Sequence, residues 1–243
     1  MSGKRSKSGG AQDVDARRAE GKRIADRLRM SSAEAGEPLA WFDALYRAAK
    51  GDRAMIPWGH GEARADLKGW LESQAAAQKR GCALDVGCGL GDNAALLAAS
   101  GFEVTAFDIS ETAVAWAAER FAASGITWRT ANLLNLPAEW RGAFDFVNET
   151  YTLQILRDPF RAEAFKALAG CVAAGGRLFI LGRGRHEDEP QDLPPWPLLR
   201  SELKALEGMG LEEISFEDFM VRRKGRDVRH FRVVFRKKKA RFF

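Results

Sequence analysis

At 243 residues, 46% of them hydrophobic, the chain has the size and composition of a globular protein built around one main domain. No apolar run approaches the ~18 residues of a membrane span, and no apolar signal region follows the basic start, so a membrane-embedded class is excluded and a cytoplasmic protein is expected. The three cysteines and three histidines lack paired spacing, so neither a disulfide framework nor a metal is expected.

The formal charge of +5 hides an uneven distribution. Residues 1–30 hold nine Lys/Arg against four acids and residues 222–241 hold eleven against one, which leaves the middle acidic. The favoured reading of the two ends is a solvated tail and an outward strand face. A surface for RNA or another anionic partner is the lesser reading, because aromatic interleaving is weak.

MSGKRSKSGG has almost nothing apolar and is expected to be disordered or a cloning remnant. Residues 13–29 read as a charged helix, so 1–35 form a basic, flexible extension. Leu39, Phe42, Leu45 and Tyr46 mark one helical face, and Leu67, Trp70 and Leu71 another, with a Pro/Gly loop between them. A helical unit over 36–80 follows from this.

CALDV then predicts a buried strand, and Asp92–Ser100 a helix stopped by Gly101. FEVTAF, ITWRT, AFDFV and RLFIL predict four more strands. Helices are expected from Ser110 to Gly125 and from Asp158–Pro159 onward. Strands alternating with helices imply parallel βαβ units with helices on both faces. After the Pro-rich loop GRGRHEDEPQDLPPWP and a helix near 199–208, LEEISFEDF and VRHFRVVFR read as a terminal antiparallel pair. The fold class is therefore α/β: an open twisted Rossmann-like sheet, mostly parallel, with an antiparallel last strand. Its core runs over 81–237, and 238–243 form a basic tail.

DVGCGLGDN places Gly87, Gly89 and Gly91 directly after the first strand, where such sheets bind ligands. A dinucleotide fingerprint needs glycine where Asp92 stands, and an acid at that helix N-terminus would repel a pyrophosphate. The same carboxylate suits a cationic cofactor. Asp108 closes the second strand, where an acid bonds ribose hydroxyls. Ribose and positive charge without pyrophosphate suggest S-adenosylmethionine.

ALDVGCGLGDNA, FDIS, ANLLNLP and FDFVNETYTLQIL, in this order, resemble the successive motifs of class I S-adenosylmethionine-dependent methyltransferases, and within that family the thiopurine and tellurite-type small-molecule branch. The resemblance implies a seven-stranded sheet with its last strand antiparallel, and a helical cap over the site from 36–80. It sets Asp85 and the backbone of Gly87, Cys88 and Gly89 along the methionine part, Asp108 on the ribose, and Ile109 and Asn132 at adenine. Asn132 stands where many relatives have Asp. Asp92, Asn93 and Leu133 complete the expected cofactor contacts, with Trp41 and Trp58 facing the sulfonium by cation–π attraction. Glu149 is implied near the amino-acid moiety or the acceptor.

Asp85 has a duller role open to it as a turn cap, Cys88 reads as a packing residue, and Tyr46 and Phe42 read as core. Trp58 and Trp196, in Pro-rich loops, are pocket candidates. Arg183 and Arg185 are placed just after the fifth strand, to bind an anionic acceptor or to pair with Glu187, Asp188 and Glu189. His186 and Tyr151 are candidate proton acceptors. The activity implied is methyl transfer to a small molecule, a thiol among the acceptors considered. NETY stands after strand four where amine-modifying DNA and protein-glutamine relatives carry Asn/Asp-Pro-Pro-aromatic, which counts against a nucleobase or amide acceptor. An RNA methyltransferase using the basic ends and a non-catalytic cofactor-binding protein are the alternatives.

Overall fold

The first strand expected from the sequence pattern, β1 (Cys82–Val86), is buried from Ala83 onward, as a strand covered on both faces must be. The structure, a computed structural model, describes residues 8–190, 194–223 and 225–239. β1 pairs in parallel with β2 (Glu103–Asp108) on one side and β4 (Phe144–Thr150) on the other. β3 (Thr127–Thr130) adds to β2, and β5 (Val172–Arg185) to β4. A reversal of strand order thus falls at β1, where the glycine turn leaves the sheet.

The expected antiparallel pair is present, with its order inverted in space. β8 (Arg226–Lys237) inserts between β5 and β7 (Leu211–Arg223), antiparallel to both, so the last strand lies inside the sheet and β7 forms the edge. A two-residue strand, β6 (Leu198–Leu199), pairs with Gly184 and Arg185 and brings the sheet to eight strands. It follows directly on the Pro-rich loop, and two residues are too few to show an alternation. Of that loop, Gln191, Asp192 and Leu193 lie outside the described residues.

β5 is far longer than RLFIL because it is paired along both edges, which carries Arg183 and Arg185 into the strand instead of after it. Its side chains alternate between two layers. Leu178 and Ile180 pack with α6 (Phe160–Cys171) and α7 (Arg200–Lys204). Phe179 and Leu181 face α3 (Ala65–Ser73) and α4 (Asp92–Ala99). α5 (Glu111–Arg120) starts at Ser110, whose hydroxyl accepts from Ala113 N, and stops earlier than Gly125.

The charged helix expected over 13–29 extends over α1 (Ser8–Glu34), and residues 1–7 lie outside the described residues. α1 packs on α2 (Trp41–Ala49) and the 53–55 turn, with Ala25 buried against Leu45, Tyr46, Ala49 and Ile56. At Gly21 a Cβ would strike the carbonyl of Met55, so this glycine is what lets α1 lie on the loop. α2 is tied in turn to α5: Asp43 Oδ1 accepts from Ser110 Oγ at 2.8 Å and Thr112 N at 3.1 Å. The N-terminal helices are thereby fastened beside the carboxyl ends of β1 and β2.

Candidate functional site

The turn from β1 into α4 holds Gly87, Gly89 and Gly91 at φ of 61°, 51° and 83°, in the left-handed region where a Cβ is strained. Two of these glycines answer to the protein's own side chains. A Cβ on Gly87 would strike Thr152, and one on Gly91 the ring of Trp128. Gly89 faces an aromatic cover: Tyr46 Oη lies 3.1 Å from its ideal Cβ position, with Trp58 Nε1 at 3.8 Å. Packing within the chain thus already calls for glycine at Gly87 and Gly91, apart from any ligand.

Around this turn stand three buried carboxylates, Asp85, Asp108 and Glu149. Asp85 and Asn148 are register partners on β1 and β4, and Asn148 Nδ2 donates to Asp85 Oδ1 at 2.6 Å. Asp85 Oδ2 is buried with no hydrogen-bond partner among the described residues. Burial pushes this carboxyl up to about 7, against the lowering effect of its hydrogen bonds to Asn148 and Ala94, and the charges of Asp108 and Asp92 add to the rise. Asn148 escaped the sequence reading because an Asn within a predicted strand gives no sign of which carboxylate it will meet.

Asp108 accepts from Gly89 N and Ser110 N, each at 2.9 Å, through different oxygens. Burial raises it as well, while those backbone donors pull the other way. Glu149 Oε1 accepts from Thr152 N at 2.7 Å and Leu153 N at 2.9 Å, fixing the turn after β4, and Oε2 is buried and unpartnered among the described residues. Its carboxyl is pushed up to about 7, again by burial. Asp85 and Asp108 thus share one dry region, whereas Glu149, one position past Asn148 on β4, faces the other side of the sheet, where the Arg161 charge lowers it.

Other expected contacts fall differently. Asp92 is bridged by Arg120 at 2.7 Å, and Arg120 also reaches Leu90 O, so its charge is spent inside the protein and is not presented to a cationic ligand. Asn93 Oδ1 accepts from Arg64 N at 2.9 Å, anchoring the start of α3. Ile109 is half-buried between Asp108 and Ser110. Asn132 Oδ1 accepts from Leu134 N at 2.9 Å, a local bond that competes with any adenine contact. The Leu133 side chain belongs to the core beside Phe107 and Trp140. Burial pushes the Cys88 thiol well above its ordinary value, in keeping with a packing role.

Trp41 and Trp58 do meet, edge to face at 5.8 Å, and Trp58 Nε1 donates to Tyr46 Oη at 2.7 Å. Tyr46 is core, as expected, and Trp58 is 39% exposed above Gly89. Trp196 stands elsewhere, lining a cavity of about 360 Å³ with Arg157, Arg161 and Arg185.

Of the candidate catalytic residues, Tyr151 sits at the carboxyl end of β4 with φ of 65°, a conformation costly for a bulky residue and held by Tyr151 N donating to Leu181 O. Its Oη accepts from Arg64 Nη2 at 3.0 Å, and the same guanidinium lies 4.7 Å from the ring centroid. Arg64 was missed because nothing in its neighbourhood marks it. Arg183 N donates to Gln154 Oε1, and Arg185 Nη1 donates to the backbone oxygen of Glu189 at 2.6 Å. His186 is exposed, its Nδ1 3.3 Å from Arg229 Nη1 on β8. These contacts of Arg185 and His186 run to the 186–189 turn and β8, away from the glycine turn.

The reversal of strand order, the glycine turn and an acid closing β2 define a Rossmann-like α/β fold. Residues 83–176 match the model of a methyltransferase domain. The chain is similar to a ubiquinone biosynthesis O-methyltransferase of Aromatoleum aromaticum, 34% identical over 114 residues, covering 46% of this chain and 47% of that protein. The Bordetella pertussis protein of the same description is 30% identical over 114 residues, covering 46% of each. The chain thus spans about half the length of the curated relatives it matches. Among solved structures, one described as concerning conversion of a disulfide bond into a thioacetal group during echinomycin biosynthesis superposes with TM-score 0.65 at 25% identity, over 81% of this chain and 91% of that one. The N-methyltransferase NodS from Bradyrhizobium japonicum, in complex with S-adenosyl-L-homocysteine, gives 0.61 at 19% identity over 79% and 97%.

The residues present fit S-adenosylmethionine, the cofactor implied by the sequence motifs. The orphaned buried oxygen of Asp85 leaves an acceptor for a cationic, donor-bearing molecule, and the neighbouring carboxylates of Asp85 and Asp108 would repel a pyrophosphate.

Proposed function

We propose that this protein transfers the methyl group of S-adenosylmethionine to a small-molecule nucleophile, with 81–237 as the catalytic core and 36–80 as its cap. The observation that carries the reading is the pair of buried carboxylates Asp85 and Asp108 at the glycine turn, both raised by burial and, among the described residues, without a cation hydrogen-bonded to either. When bound, the cofactor supplies an electrophilic methyl on a sulfonium, a good leaving group.

The chain's own residues bind, orient and exclude water. Asp85 offers its unpartnered oxygen to the cationic end, and Asp108, already holding the turn through Gly89, offers its remaining lone pairs to hydroxyl donors. Tyr46 and Trp58, with Trp41 packed against Trp58, cover Gly89 with aromatic side chains that keep competing water away. Tyr151, stiffened by Arg64, stands at the end of β4 as the candidate proton acceptor. The acceptor is read as a thiol or an acidic hydroxyl, because either needs little help to reach its nucleophilic anion. The oxygen-directed names of the curated relatives support the hydroxyl.

Calorimetry with S-adenosylmethionine and its demethylated product is the direct test. Asp108→Ala is expected to weaken binding by about 1–3 kcal/mol, the scale of hydrogen bonds to a charged group. NAD should not bind. Turnover, followed as demethylated cofactor against a panel of thiols and phenols, then decides the acceptor. Uptake of NAD in place of the sulfonium nucleoside would end this reading.

A further inference from the structure

A cluster of cations without close ion pairs among the described residues lies at the other pole of the sheet. At the amino-terminal ends of the parallel strands a groove of about 1090 Å³ is lined by Arg80, Arg177, Arg236, Lys237, Lys238 and Lys239. The glycine turn leaves the opposite end of β1, so this groove and the carboxylate cluster are separated by the strand itself.

Two features distinguish the groove from an ordinary solvated basic face. First, its cations are not neutralised: among the described residues none of the six has an ion pair within 4.0 Å. The buried part of the cluster is held by neutral groups instead. Arg177 donates to Gln74 Oε1 at 2.9 Å and to Gln78 O, and Lys237 Nζ to Ala169 O at 3.1 Å and Met209 O at 2.9 Å. Of the two carboxylates in the lining, Asp145 accepts from Cys82 N at 2.9 Å.

Second, like charges are set side by side. Arg177 and Arg236 are register partners across β5 and β8, with Glu212 of β7 the partner of Arg236 on its other side, so one carboxylate stands in register beside two facing guanidinium groups. Burial, with the facing Arg236 charge added, holds Arg177 below the usual guanidinium range. Backbone places the remaining lysines along the same groove, with the Lys239 stem near Gly175, where a Cβ would lie 3.1 Å from its Cε. Among the described residues no aromatic ring lines the groove, so it has no platform for bases, and only Ile214 offers large apolar surface there.

We propose that this groove binds an extended chain of phosphates, anchoring it at the pole opposite the methyl-transfer site. The ligand chemistry is a run of closely spaced phosphoryl groups, as supplied by the backbone of a single-stranded nucleic acid or by inorganic polyphosphate. Recognition is independent of base sequence, because the interactions available are cation to phosphate.

Fluorescence anisotropy of the full chain with labelled oligouridylate, with unlabelled polyphosphate as competitor, tests this. Binding is expected, with log affinity falling against log salt by about 0.7 per phosphate contacted. Arg236→Glu with Lys238→Glu should weaken it at least about tenfold, since each exchange turns an attraction for phosphate into a repulsion. Lys238→Ala with Lys239→Ala, both exposed, should weaken it less and serves if the first pair disturbs folding. Lys22→Glu with Arg23→Glu on α1 should leave it unchanged. Cofactor binding by calorimetry should survive in all of these variants, which keeps this test separate from that of the methyltransferase reading. The tighter of the two phosphate ligands names the source. Absence of binding to both at low salt, loss confined to the α1 variant, or binding only to anionic lipid vesicles would overturn the proposal.

Discussion

Gly91 opens α4 at φ of 83° with its open side filled by Trp128, so the position tolerates neither the strain nor the volume of a methyl group. Gly91→Ala is expected to destabilise the fold by about 1–3 kcal/mol, the cost of a non-glycine residue held in the left-handed region, to be read from the urea midpoint. Three glycines at alternate positions were legible in the sequence as a demand for positive φ. What each of them faces was not, because Thr152, Trp128 and Tyr46 arrive from distant segments. Asp92 is the same lesson with charge: its place at a helix N-terminus could be read, its neutralisation by Arg120 could not.

Among the elements, the first turn of α6 carries more than its sequence suggests. Arg161 is 3% exposed, donates to Leu156 O and Trp196 O, and bridges Glu202 on α7 at 2.8 Å. One guanidinium thus joins the segment after β4, the chain around Trp196 and α7. Arg161→Met should cost about 3–5 kcal/mol, because Glu202 would be left without its cation and two carbonyls without their donor. Chemical denaturation checks this, and a loss under about 1 kcal/mol would mean that the surrounding segments hold themselves. From RDPFRAEAF the arginine reads as an ordinary exposed helix residue. β5 shows the opposite case: its existence was plain from the apolar run, while its length depended on partners along both edges.

For the molecule taken as one cooperative unit, the buried carboxylates set a pH dependence whose sign follows from linkage. Asp85 is raised from 3.8 to about 7, so between those values the native state holds a proton that the unfolded chain has lost. Stability contributed by this group is therefore complete below about pH 4, falls as pH rises, and is gone above about pH 7. Glu149, raised from 4.5 to about 7, acts in the same direction. Unfolding free energy of the wild type relative to Asp85→Asn is expected to decline over that window by up to about 1.4 kcal/mol per pH unit. Cofactor affinity should rise over the same range, since the ionised carboxylate is the form that attracts a cation. Denaturant titrations at stepped pH measure the first, calorimetry the second. A pH-independent difference between wild type and variant would mean that Asp85 ionises normally.

The α/β class, the alternation of strands and helices, the glycine turn and the acid closing β2 were all available from residue order, because hydrophobic period, caps and φ demands act over a few neighbours. The spatial position of β8, the two residues of β6, the pairing of Asp85 with Asn148, the cover of Tyr46 and Trp58 over Gly89, and the clustering of six cations in one groove came from the folded chain. Each of these joins segments far apart in sequence. Their energetics depend on burial and on which charges are brought together, quantities that have no value until the chain has closed on itself.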